Sequence, residues 1–121
     1  MNVKKTLVLG ASARTSQYSN MAVRQLREKG HPVLAVGREA CMIEDVEVNT
    51  TIPASKDIDT VTLYLNPERQ RAYYDEIINL HPRRIIFNPG TENPELYALA
   101  KNNGIEAIEG CTLVMLSVGN F

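Results

Sequence analysis

The chain has 121 residues, 44% of them hydrophobic and 22% charged, and 13 basic side chains against 14 acidic ones leave a net charge of −1. That length suits one folding unit over 1–121, large enough to bury a core without metal or disulfide staples. The near-neutral balance supplies no field for nucleic acid or an anionic membrane, so any anion site must be local.

Met1 to Lys5 is polar and runs straight into an apolar stretch, without the long apolar core of a signal peptide. Thr6 to Leu9 reads as a buried strand ending at Gly10. Ser19 to Lys29 reads as a helix with Ala22, Val23 and Leu26 on one face and Gly30 as its stop. Val33 to Val36 is the second strand. Residues 37–59 are irregular, with a short edge strand at Val46 to Val48 and a connection to the other half of the sheet. Thr60 to Leu65 is the next strand, and Asn66-Pro67-Glu68 opens a helix with Tyr73, Tyr74, Ile77 and Ile78 towards the core. Arg84 to Phe87 follows, then a helix opened by Asn93-Pro94-Glu95, with Leu96, Leu99 and Ala100 inward and Gly104 as its stop. Ile105 to Ile108 is the last strand. In both helix starts Asn caps free amides, Pro suits the first turn and Glu suits the positive end.

The strand runs are apolar throughout rather than alternating, as in a parallel sheet covered on both faces. The expected fold is α/β, a Rossmann-like doubly wound three-layer sandwich with a mainly parallel sheet of five to six strands. No run approaches the ~18 apolar residues of a membrane helix. Cys41 and Cys111 lie far apart with no Cys/His cluster, so neither zinc nor a disulfide is expected, and the cytosol is the default compartment.

In sheets of this kind ligands lie outside the strand carboxyl ends, where strand order reverses, here beside the first strand. The loop Gly10-Ala11-Ser12-Ala13-Arg14-Thr15-Ser16 combines a glycine turn, hydroxyls and a guanidinium, and it leads into a helix start, where free amides favour phosphate. A polar loop that merely caps a helix is the alternative. The pattern is not GxGxxG, which weakens the case for an ordinary dinucleotide dehydrogenase. The second strand ends Val36-Gly37-Arg38, where NAD enzymes usually carry an acid. Arginine there suits a phosphorylated ribose, which favours coenzyme A or NADP over NAD; a solvated surface arginine is the plain alternative. Leu65-Asn66-Pro67 and Asn88-Pro89-Gly90 form the next two loops. Cys111 follows the last strand and reads as an inert thiol. Glu92 and Glu109 are placed for acid–base work without a visible partner, and His31 and His81 face the opposite edge of the sheet.

Leu7-Val8-Leu9-Gly10-Ala11-Ser12 with Arg14 and Ser16, Leu26 to Gly30, the strand to Val36, Asp59 to Leu65, Phe87-Asn88-Pro89-Gly90 and Gly104 to Cys111 together resemble the small stand-alone CoA-binding-domain proteins. These are similar to the CoA-binding domain of the succinyl-CoA synthetase α subunit. The resemblance implies CoA or acyl-CoA binding, with the diphosphate on Gly10, Ala11, Ser12, Arg14 and Ser16 and the nucleoside near Val36, Gly37 and Arg38. It implies a pantetheine path past Leu65, Asn66 and Pro67 towards Asn88 and Gly90. Two departures stand out: Gly37-Arg38 replaces the family's usual Asn-Pro, and no domain with a catalytic phosphohistidine is present.

The first expectation is therefore a binder of a small nucleotide ligand, with no catalytic residue and no metal assigned. The alternatives are an NADP-dependent oxidoreductase or other nucleotide-using enzyme, and a structural or regulatory protein with a vestigial pocket. Exposed sheet edges leave homodimer formation open.

Overall fold

The computed structural model describes residues 3–121. Its centre is a sheet of β1 (Thr6–Ala11), β2 (Val33–Gly37), β3 (Cys41–Ile43), β4 (Val46–Asn49), β5 (Thr60–Leu63), β6 (Arg84–Phe87) and β7 (Glu106–Glu109). The strands lie in the order β3-β4-β2-β1-β5-β6-β7, and only β3 and β4 pair antiparallel. The α/β Rossmann-like fold is as expected, but the sheet has seven strands rather than five or six. The extra one is β3, a run of only three residues that carries little pattern of its own. It turns back on β4 through Glu44, whose φ of 52° is left-handed. Val46 to Val48 is accordingly one strand in from the edge, with both valines buried and Glu47 exposed.

Alternation along each strand sends successive side chains to opposite layers. Leu7 and Leu9 of β1, Leu63 of β5 and Ile85 and Phe87 of β6 share one core. Against it pack Ile77 of α3 (Tyr74–Asn79) and Leu96 and Ala100 of α4 (Pro94–Asn102). Val8, Ala35 and Val48 point the other way. They meet Val23 and Leu26 of α1 (Tyr18–Glu28) and Leu116 of α5 (Thr112–Val118). Helices thus cover both faces of the sheet.

Two helical features depart from expectation. The segment after β5 is not one helix: α2 (Pro67–Gln70) passes through a 3-10 turn at Arg71–Tyr73 into α3. Wholly buried Gln70 anchors this start, donating to the carbonyls of Leu65 and Thr91 at 2.8 Å each. The second is α5, which was not anticipated because its start has no side-chain cap and its seven residues show no charged face. The two expected Asn caps are present. Asn66 Oδ1 accepts from the Arg69 amide at 2.9 Å, and Asn93 Oδ1 accepts from Glu95 and Leu96. Among the described residues no helix is long and apolar enough to cross a membrane.

Candidate functional site

Strand order reverses at β1, which has β2 on one side and β5 on the other, so the connections after these strands diverge and leave a crevice. A cavity of about 800 Å³ occupies it. Leu9, Gly10, Ala11, Ser12, Ala13, Arg14 and Gln17 form one wall; Val36, Gly37, Arg38, Glu39, Cys41 and Thr50 form another. Tyr64, Leu65, Arg69 and Tyr73 complete it.

The tight packing of backbone at the floor dictates two glycines. Gly10 has φ 103° and interrupts the register between Leu9 and Ala11, and a Cβ there would lie 2.9 Å from the Tyr64 carbonyl carbon. At Gly37 a Cβ would lie 2.2 Å from the Ala11 carbonyl oxygen. Both glycines therefore serve approach of one strand end to another. Gly10 also lines the cavity.

Helix α1 holds the first loop in shape. Asn20, 2% exposed, donates to the Ser12 carbonyl at 2.9 Å and accepts from Arg24 Nε at 2.8 Å. Arg24 also donates to the Thr15 carbonyl, and the Arg14 amide donates to Ser12 Oγ. The start of α1 has neither a side-chain cap on Gln17 nor an acidic residue in its first turn. Its leading amides and the positive end of its dipole are thus unmatched by protein groups.

Arg14, Arg38 and Arg69 face the cavity against one carboxylate, Glu39, and among the described residues none of the three guanidiniums forms an ion pair. A chain of net charge −1 thus concentrates positive charge at one spot. Tyr64 supplies part of the floor, and burial pushes its phenol up to about 12, so it stays neutral. Among the described residues its buried hydroxyl has no hydrogen-bond partner, and the neighbouring Thr62 and Thr112 hydroxyls bond each other at 2.7 Å.

Of the residues anticipated for binding, Gly10, Ala11, Ser12, Arg14, Val36, Gly37, Arg38 and Leu65 meet in this one cavity. Ser16, Asn66, Pro67, Asn88 and Gly90 do not line it. Asn66 is occupied with its cap. Asn88 is 2% exposed and fully engaged: its amide donates to Thr62 Oγ1 and the Leu63 carbonyl, and its oxygen accepts from the Thr112 amide. Gly90 lies in an exposed turn and donates its amide to Glu92. Cys111 precedes α5, and neither it nor Glu92 or Glu109 reaches the cavity. Arg69, Tyr73, Glu39, Thr50, Gln17 and Cys41 were not anticipated. A four-residue spacing, one helical turn, linked Arg69 to Tyr73 in sequence; Cys41 needed the unseen β3. Among the described residues no cluster of His, Cys, Asp or Glu could hold a metal ion.

Comparison with known proteins bears on this arrangement. No curated protein matches the sequence. A crystal structure of an uncharacterized protein, 45% identical, superposes with a TM-score of 0.96 over 100% of both chains. The Thermus thermophilus protein described as cell-free ID.343 has the same fold at 22% identity, with a TM-score of 0.84 over 98% of this chain and 91% of that one. A hypothetical protein from Pyrococcus horikoshii OT3 does so at 20% identity, with a TM-score of 0.87 over 96% and 83%. The family model described as the CoA binding domain matches residues 4–117, nearly the whole chain, and the protein belongs to that family.

Proposed function

We propose that the cavity binds coenzyme A or an acyl-CoA and that the protein acts as a binding module without chemistry of its own. One observation carries this reading: three unpaired guanidiniums and an uncapped helix start surround a cavity of about 800 Å³. That volume is in the range of ligand sites, and amides at a helix start suit phosphate. On this reading the diphosphate lies against Gly10, Ala11, Ser12 and Arg14, with Ser16 at the rim. The nucleoside lies along Val36 and Gly37, with Arg38 on the ribose phosphate through charge-assisted bonds. The pantetheine leaves past Leu65, Asn66 and Pro67. The family membership supports CoA over other anionic ligands of similar size.

Thermal unfolding with CoA, dephospho-CoA, NADP and NAD tests the reading. CoA at about 100 times its dissociation constant is expected to add about 2.7 kcal/mol of stability. Dephospho-CoA protects less, and Arg38→Ala removes the difference between the two. No shift at millimolar CoA, or a larger shift with NADP, overturns the assignment.

A further inference from the structure

Resting on that reading, we infer that the cavity grips only the nucleotide end of the ligand and leaves the thiol or thioester in solvent, so that CoA and acyl-CoAs of any chain length bind alike. On the side of β5 the cavity is lined by Leu65, Arg69 and Tyr73. Beyond it, the space between the carboxyl ends of β5 and β6 is filled by the protein's own side chains. Gln70, 0% exposed, bridges the Leu65 and Thr91 carbonyls. Asn88 ties β5 to α5, and Thr91 Oγ1 donates to the Asn88 carbonyl at 2.8 Å. A pantetheine arm has no channel through this packed, hydrogen-bonded layer. It must pass over the outer surface, where Arg69 is exposed. The charge on the walls points the same way. The three guanidiniums facing the cavity, Arg14, Arg38 and Arg69, suit phosphate. Such a protein would hand the reactive end of its ligand to a second catalyst rather than consume it.

Calorimetric titration of the full chain with CoA, acetyl-CoA and octanoyl-CoA tests this. Affinities within about threefold of one another are expected, whereas an enclosed chain would gain roughly fourfold per methylene. A second readout follows alkylation of the CoA thiol by iodoacetamide, with product measured by mass spectrometry so that Cys41 and Cys111 do not interfere. With protein at about 100 times the dissociation constant, only ~1% of the ligand is free, so a buried thiol would react about a hundredfold more slowly. An alkylation rate within about threefold of free CoA is expected for a thiol in solvent. Tight binding with chain-length selection or a protected thiol overturns this inference and leaves the binding assignment intact. Absence of CoA binding overturns the assignment itself.

Discussion

His31 accepts the Lys4 amide hydrogen on Nδ1 at 3.0 Å, a bond that requires that nitrogen to be unprotonated. Its ring meets Phe121 edge-on at 5.1 Å, and the Arg84 guanidinium lies 4.4 Å from the centre of the same Phe121 ring. Burial, then the charges on Lys4 and Arg84, hold the imidazole pKa below its ordinary 6.5, against a smaller opposing effect of Asp59. The folded value lies below the unfolded one, so as pH falls the unfolded chain takes up this proton first. The stabilising contribution is therefore complete above about pH 6.5 and is lost as pH falls below it. Urea unfolding of the parent should lose stability more steeply than His31→Gln between about pH 7.5 and pH 5. Parallel curves for the two proteins would show that this imidazole is not coupled to folding. In the sequence His31 reads only as facing the sheet edge opposite the loops, since its partners Lys4, Arg84 and Phe121 are distant along the chain. Arg14 and Arg38 were legible because a strand end followed by a basic residue is a local signal.

Asn88 acts at the scale of elements, joining β5, β6 and α5 through three hydrogen bonds of 2.7 to 2.9 Å. Asn88→Ala would leave a buried carbonyl at Leu63 and a buried amide at Thr112 without partners. The expected cost is about 3 kcal/mol in chemical denaturation, while CoA affinity changes by less than about threefold. A large loss of affinity in a stably folded variant would return Asn88 to the binding surface. Sequence patterning carries the elements with apolar runs, a one-sided apolar face as in α1, the valine alternation of β4 or an Asn-Pro-Glu start. It missed β3, whose three residues pair only because β4 lies beside them, and α5, whose hydrophobic residues are divided between Leu116 in the core and the exposed Val114 and Val118. The hairpin β3–β4 is also held from outside, by Arg27 of α1 on Asp45 at 2.8 Å. That exposed contact adds little stability but fixes an orientation.

At the scale of the whole molecule, the cavity is a local concentration of positive charge in a slightly acidic chain. Raising sodium chloride from about 0.05 to about 0.5 M shortens the screening length from ~14 to ~4 Å. CoA affinity should fall about tenfold or more across that range, and the fall should be shallower in an Arg14→Gln, Arg38→Gln variant. Affinity independent of salt would mean that apolar contact, not charge, holds the ligand. Local information in the sequence determined the alternation of buried strands with amphipathic helices, and hence a sheet covered on both faces with its loops gathered at the strand carboxyl ends. Periodicity and caps act over a few residues, so they survive in one dimension. Which loop side chains share a cavity is set by strand order and by contacts between distant residues. Only the folded chain could bring Arg69, Tyr73 and Cys41 beside Arg14 and Arg38, turn Asn88 inward, and spend the missing side chains of Gly10 and Gly37 on the close approach of neighbouring strand ends.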